Sequence, residues 1–447
     1  MVPAGPENVQ PGSGTDPVKS MDYEVIVIGG GPAGAAAARR LARRGRRVLL
    51  VERRRFPRFH IGESMLPASN AVFRQLGLTD AVAAAGFVRK RGASFTSDDG
   101  ELGSYVDFTG CSDIPSPVTF QVPRARLDQI LLDGAAEAGV EVRQEHRARD
   151  VAFAPDRVTV TVSDAAGETT TVDAEVLVDA SGQAGFLARR LELRRHDPEM
   201  RHVALYAHFE GVPRPPGERS GDIRIVSRRD LGWIWFIPLS PTVTSVGVVM
   251  SRARHASRPR EDAETLLDFL LASTPVAAEQ VREARRVSPA HFEADFSYSA
   301  RAYAGDRWLL AGDAGSFLDP VFSSGVLLAL ESGVEAADAI DRALAAGDVS
   351  ARAFAAFQKV QRRRFKYFRR FARSFYDPWF RDVFMTPTRR LGLTEAIATA
   401  LAGHWRPSFL NRLRLELFFA AVAVQRFVTL SPRRHGAPAV DERDVGC

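Results

Sequence analysis

Apolar positions along the chain come in two textures. Glu24–Ile28 is a short β-branched run without polar alternation, as expected of a parallel strand buried on both faces. Gly29–Gly31 breaks the run, and Pro32-Ala33-Gly34 opens an alanine-rich helix predicted to reach about Arg44 and to stop at Gly45. Arg47–Glu52 is a second buried strand, so the chain begins as a βαβ unit. From about Ala93 the segments become shorter and more alternating: strands are predicted at Ala93–Thr96, Thr119–Val122, Arg157–Ser163 and Thr169–Val172, with a helix at Ala125–Ala138 between them. Glu175–Ala180 and Arg307–Ala311 return to the buried type. His202–Phe209, Asp222–Ser227, Gly232–Ile237 and Thr244–Met250 read as strands of a second sheet. A long helix is predicted at Gly325–Ala345, followed by helices at Ala351–Tyr376, Leu393–Ala402 and Ser408–Thr429.

These elements predict an α/β fold with a βαβ (GxGxxG) nucleotide-binding domain interleaved with a β-rich substrate domain, plus a mainly helical C-terminal segment. The nucleotide domain is expected over about 22–90, 124–195 and 286–350, the β-rich domain over about 91–123 and 196–285, and the helical segment over 351–447. Residues 1–21, rich in Pro, Gly and Ser, read as a disordered tail without the apolar core of a signal peptide.

Composition narrows the function classes. A net charge of +6 over 447 residues is modest and argues against a dedicated nucleic-acid binder, for which a concentrated basic face is expected. The apolar stretches, such as Leu417–Val424, are far shorter than the ~20 residues a membrane span needs. Two cysteines, Cys111 and Cys447, supply neither a disulfide framework nor a metal cluster and point to a reducing cytoplasm. Of the 60 basic residues only Lys19, Lys90, Lys359 and Lys366 are lysines, which singles out each lysine in an ordered region.

Gly29-Gly30-Gly31-Pro32-Ala33-Gly34 fits G-x-G-x-x-G between a strand and a helix. Gly29, Gly31 and Gly34 are the positions where a tight turn and a close approach to a pyrophosphate exclude side chains. Glu52, at the end of the second strand, is placed to accept from ribose hydroxyls and disfavours a 2′-phosphate.

Trp308-Leu-Leu-Ala-Gly312-Asp313, with Pro320 after it, resembles the Gly-Asp segment of the FAD-dependent aromatic hydroxylase superfamily. That resemblance implies FAD as the cofactor, with Asp313 accepting from its ribityl chain. Arg124 matches the superfamily's flavin-contacting arginine, although a surface arginine is its plain alternative. Val178-Asp179-Ala180-Ser181-Gly182 resembles the Asp-Gly segment, with Ala where Gly is usual.

Residues 232–238 read Gly-Trp-Ile-Trp-Phe-Ile-Pro. Trp233 and Trp235, two apart on a strand, share one face and build a bulky apolar wall, and Pro238 closes the strand. With this string the chain resembles the flavin-dependent halogenases, in their phenol- and carrier-protein-type subgroup. Phe59-His-Ile-Gly62-Glu63-Ser64, Phe87-Val-Arg-Lys90-Arg-Gly92-Ala93, Asp319-Pro320-Val-Phe322-Ser323-Ser324-Gly325-Val326, Phe375-Tyr376-Asp377-Pro378 and Leu401-Ala402-Gly403 extend the likeness from about Asp22 to Leu430.

The resemblance implies that reduced FAD from a separate flavin reductase and O2 convert a chloride ion, held at Ser324 and Gly325, to hypochlorous acid. Trp233 and Trp235 form the barrier between flavin and substrate, and Lys90 delivers chlorine to an electron-rich aromatic. Phe322 stands where tryptophan-type enzymes carry a glutamate, which favours a phenol or a pyrrole, free or tethered to a carrier protein, over free tryptophan. An amine suits the role of Lys90 because, unlike a guanidinium, it loses its proton when desolvated.

Plainer readings stand beside these. By position alone Lys90 is a solvated surface lysine, Ser324 an ordinary helix N-cap, and the two tryptophans core aromatics. Lys359–Arg373 is either a dock for an acidic carrier protein or, as we favour, an amphipathic helix with aromatics inward and arginines solvated. At the level of activity, an FAD-dependent aromatic hydroxylase is the alternative to a halogenase, followed by a flavin-binding reductase of isoprenoid double bonds or a carrier-associated module that does not turn over.

Overall fold

Val25–Ile28 forms the centre of a six-stranded sheet because all four of its side chains are buried and both of its edges are paired. Val25 lies opposite Val48 on one side and Val176 on the other, both in parallel register. The strands run in the order 304–305, 308–310, 176–179, 25–28, 48–52, 141–144. The computed structural model describes residues 21–111, 113–258, 261–294, 297–386 and 392–433, so nearly all of the expected N-terminal tail lies outside the described residues.

The alanine-rich helix Pro32–Ala42 lies across this sheet and packs against the long helix Gly325–Ala346, both almost wholly buried along the contact. A three-stranded antiparallel sheet, Arg147–Phe153, Val158–Ser163 and Thr169–Ala174, adjoins it. Strand ends differ from the expected ones by one or two residues, as is usual where terminal pairs fray.

The second large sheet runs in the order 285–286, 202–210, 243–251, 233–238, 223–227, 92–97, 103–107, with 291–294 also paired to 202–210. All its pairs are antiparallel except that of Ile223–Ser227 with Gly92–Ser97. Period-two alternation divides its residues cleanly. Val203, Leu205, Ile234, Phe236 and Val248 pack on the helix Ala263–Ala272. Ala204, Tyr206, Trp233, Trp235 and Ile237 occupy the other face, in one core with Phe322, Phe371, Phe375 and Phe384.

That core is completed by the C-terminal helices Ala355–Ser374, Pro378–Met385, Leu393–Leu401 and Phe409–Gln425. The first is amphipathic as expected, burying Phe357, Phe368 and Phe371 and exposing Lys359, Arg362, Arg363 and Lys366. Arg364 departs from the expectation: it is buried and paired with Glu331 at 2.8 Å and Glu335 at 3.0 Å. No described helix is long and apolar enough to cross a membrane.

Candidate active site

A cavity of about 1320 Å³ opens where the first sheet meets the tryptophan face of the second. Gly29, Gly31, Glu52, Arg124 and Asp313 line it from the nucleotide side, Trp233 and Trp235 from the other, and Ser323 and Gly325 from the start of the long helix.

The glycine turn is built for close approach. Gly29 has φ +104°, and a Cβ on Gly34 would lie 1.8 Å from the Gly29 carbonyl oxygen, so neither tolerates a side chain. Gly31 differs: a Cβ there would meet only Arg58 Nη2 at 3.6 Å, and one at Gly182 would meet nothing within 4 Å. These two residues leave an open cradle on the cavity wall. The Glu52 carboxylate accepts from the backbone N–H of Gly30 at 2.7 Å and of Arg54 at 2.9 Å, fixing the turn while one side of it faces the cavity.

Arg124 is not the surface arginine of the plain reading. It is buried at the first turn of Arg124–Glu137, where Nε and Nη2 donate to Asp128 at 2.8 and 2.9 Å and Nη1 to the Ile61 carbonyl at 2.7 Å. Burial raises the Asp313 carboxyl to about 7, against the pull of Arg124 and Arg194. An open glycine cradle, a helix N-terminus without a side-chain cap, arginines along the wall and a buried carboxyl fit a dinucleotide with an anionic pyrophosphate and polyhydroxyl chains.

The turn before the long helix differs by one residue from the sequence expectation. Ser323, in the left-handed region at φ +57°, and Gly325 line the cavity, whereas Ser324 is 4% exposed and lies off its wall. Ser324 makes no side-chain cap bond, so it is not the ordinary N-cap of the plain reading. The first N–H groups of Gly325–Ala346, with the helix dipole, are left for an anion.

Trp233 and Trp235 stand with ring centroids 5.7 Å apart. Trp235 lies over Gly247, its cross-strand partner, where a Cβ would come 2.2 Å from the ring. Beyond Gly247 is Tyr206, 5.8 Å from Trp235, so the wall is three aromatics wide.

Lys90 is 1% exposed, so the solvated reading fails. It ends the strand Val88–Lys90, which pairs with Thr119–Gln121; the far side of that strand pairs with Glu63, Ser64 and Met65. Across this ribbon Lys90 Nζ donates to Ser64 Oγ at 2.9 Å and to the Met65 carbonyl at 3.0 Å, and lies 5.6 Å from the Phe108 ring centroid. Burial pushes the amine down to about 7, opposed by the charge of Asp222. Lys90 does not itself line the cavity; Ser64 does.

Sequence reasoning left two groups unremarked. Glu63 Oε1 lies 2.9 Å from His208 Nε2, while its Oε2 is buried without a hydrogen-bond partner, as are Thr119 Oγ1 and Gln121 Oε1. The signal was a polar residue within the apolar run His202–Glu210, at 208, on the same face as Ala204 and Tyr206. The second group is Tyr376, which bonds both Trp233 and Asp319.

Comparison with known proteins follows the same line. Residues 22–350 match the family described as FAD binding domain. The chain is 34% identical to a 1H-pyrrole-2-carbonyl-[peptidyl-carrier protein] brominase of Pseudoalteromonas luteoviolacea over 73% of its length and 79% of that protein. It is 30% identical to a 1H-pyrrole-2-carbonyl-[peptidyl-carrier protein] chlorinase of Pseudomonas fluorescens, over 88% and 92%. Among solved structures, a myxobacterial chondrochloren halogenase superposes with a TM-score of 0.75 at 34% identity, covering 90% of this chain and 97% of that one.

Proposed function

Because this chain belongs to the flavin-dependent halogenases, we propose that it chlorinates an electron-rich aromatic ring by passing halogen through Lys90. The observation that carries this reading is the Lys90 amine: wholly buried, depressed to about 7, and one hydroxyl away from the cavity. FAD fits that cavity: Gly29 and Gly31 would face its pyrophosphate and Asp313 and Arg124 would line the rest of it, while Gly34 keeps the turn tight against Gly29. When bound in reduced form, supplied by a separate reductase, it provides two electrons to O2, and chloride provides the other two, which leaves hypochlorous acid and water.

The chain's own residues then govern where that oxidant goes. Gly325 and the Ser323 that lines the cavity beside it hold the halide at a helix N-terminus. Trp233, Trp235 and Tyr206 keep an aromatic substrate off the cofactor. The neutral Lys90 amine takes chlorine, forming N–Cl as O–Cl breaks, with the departing hydroxide taking an N–H proton as water. Attack by the ring carbon forms C–Cl as N–Cl breaks, and the ring proton passes to the nitrogen to restore the amine.

Relatives named for pyrrolyl carrier proteins support a carrier-tethered aromatic acyl substrate beside a free phenol, with a carrier protein as partner. The test is Lys90→Ala with reduced FAD, O2, chloride and a panel of free and carrier-bound aromatic acids, read by intact mass. Oxidation of the flavin persists and the chlorine isotope pattern disappears. Chlorination that survives the substitution removes Lys90 from its role, and a gain of one oxygen atom in the wild-type product favours the aromatic hydroxylase.

A further inference from the structure

We propose that the Ser64 hydroxyl is the positioning residue that couples Lys90 to the flavin-side cavity and carries the lysine's proton to and from it. The inference rests on the reading of Lys90 as the halogen carrier. Its starting point is topological. Ser64 and Lys90 flank the same short strand, Thr119–Gln121: Ser64 bridges Gln121, and Lys90 lies opposite Thr119. Ser64 is on the cavity wall and Lys90 is behind it, with 2.9 Å from Oγ to Nζ.

The chemistry of the two Nζ partners differs. The Met65 carbonyl only accepts, so it serves an N–H of either protonation state. The amine lone pair needs a donor in so buried a place, and of these two contacts only the Ser64 O–H supplies one. A hydroxyl accepts from the ammonium and donates to the amine without moving, which makes it the group across which a proton passes.

Asp222, Phe108 and the flanking arginines do not substitute for it. Asp222 accepts from the N–H groups of Arg91 and Gly92 through Oδ1 and from Tyr105 through Oδ2. Phe108 offers only its ring face. Arg89 and Arg91, either side of Lys90, are already cations. Glu63, next to Ser64, faces the cavity with His208 on Oε1 and nothing on Oε2. It is the nearest base in sequence for a proton leaving through Ser64.

The step balances simply. The ammonium gives a proton to Ser64 Oγ as the Ser64 O–H proton passes to the Glu63 carboxylate on the cavity wall, which becomes the carboxylic acid. The resulting amine is the species that takes chlorine, and no other reactant is needed.

Four lysines in the whole chain make the test direct, because protein labelled with 15N at lysine side chains has at most four Nζ signals. Lys90 is identified by its loss in Lys90→Arg. In Ser64→Ala, loss of an acceptor for the ammonium lowers the Lys90 pKa by about one unit, and exchange of its Nζ protons with water slows several-fold. Chlorination shows a lower kcat with unchanged KM, and its acidic limb moves down with the lysine. Ser64→Thr, which keeps the hydroxyl, restores titration and rate together.

A Lys90 titration and exchange rate unchanged in Ser64→Ala overturn the proposal. Chlorination that survives in Lys90→Arg overturns the lysine reading instead, and it does so without altering the magnetic-resonance comparison.

Discussion

The Trp233 indole N–H donates to the Tyr376 hydroxyl at 2.8 Å, joining the tryptophan wall to the C-terminal helices 143 residues away. Tyr376 in turn donates to Asp319 Oδ2 at 2.7 Å, and His202 stacks on the Tyr376 ring at 3.9 Å with its Nδ1 3.2 Å from the same carboxylate oxygen. Burial, reinforced by Asp319, holds the Tyr376 phenol well above its ordinary pKa, so it remains a donor. The wall and the turn leading to Ser323 are therefore fixed by one tyrosine.

Tyr376→Phe tests that linkage. It leaves a buried indole N–H and one carboxylate contact unmade, which costs about 1–3 kcal/mol. Urea denaturation measures the loss, and a changed near-ultraviolet circular dichroism reports the loosened Trp233. Unchanged stability would mean that the two tryptophans are held by packing alone.

Gly247→Ala addresses the other end of the wall. The new methyl would sit 2.2 Å from the Trp235 ring, with backbone-paired strands on both sides, so the indole must leave its rotamer. Overpacking of this kind costs about 1–3 kcal/mol. If the wall separates substrate from cofactor, the variant also consumes more reduced flavin per product formed, measured as oxygen uptake against chlorinated product.

The wall was legible in the sequence because strand period alone puts Trp233 and Trp235 on one face. The buried strand Val25–Ile28 was equally legible, since four consecutive apolar β-branched residues satisfy both faces of a parallel sheet. The burial of Lys90 was not: Val-Arg-Lys-Arg-Gly reads as surface, and only pairing with Thr119–Gln121 and Ser64 encloses the amine. Glu63 and His208 meet across 145 residues, a distance no local period encodes. The displacement from Ser324 to Ser323 on the cavity wall reflects a left-handed residue inside the turn, which a string of two serines and a glycine does not reveal. Arg364 defeated the amphipathic pattern because Glu331 and Glu335 on the neighbouring helix supply its charge partners.

The glycine turn separates folding from cofactor binding. Gly31→Ala adds a methyl that meets only Arg58 at 3.6 Å, so the protein keeps its melting temperature while FAD, whose approach the methyl blocks, binds about tenfold or more weakly. Gly34→Ala drives a methyl to 1.8 Å from the Gly29 carbonyl and lowers both stability and affinity. Flavin-fluorescence titration beside thermal denaturation distinguishes the two. Equal FAD affinity in Gly31→Ala and the wild type would place the pyrophosphate elsewhere.

Lys90 makes stability depend on pH with a definite sign. Its pKa falls from 10.5 to about 7 on folding because burial penalises the ammonium. Between those values the unfolded chain holds a proton that the folded chain does not, so stability rises with pH across the window. The penalty is fully present below pH 7 and is relieved as pH approaches 10.5. For a side chain this buried, the whole window amounts to about 4–5 kcal/mol as an upper estimate. Lys90→Met removes the titration and keeps an unbranched side chain only one heavy atom shorter. Its stability relative to wild type, followed by urea denaturation from neutral pH upward, is therefore highest near pH 7 and declines steadily toward pH 10.5. A difference that stays constant over that range would mean that Lys90 keeps an ordinary ammonium in the folded protein, and an ammonium has no lone pair with which to take chlorine.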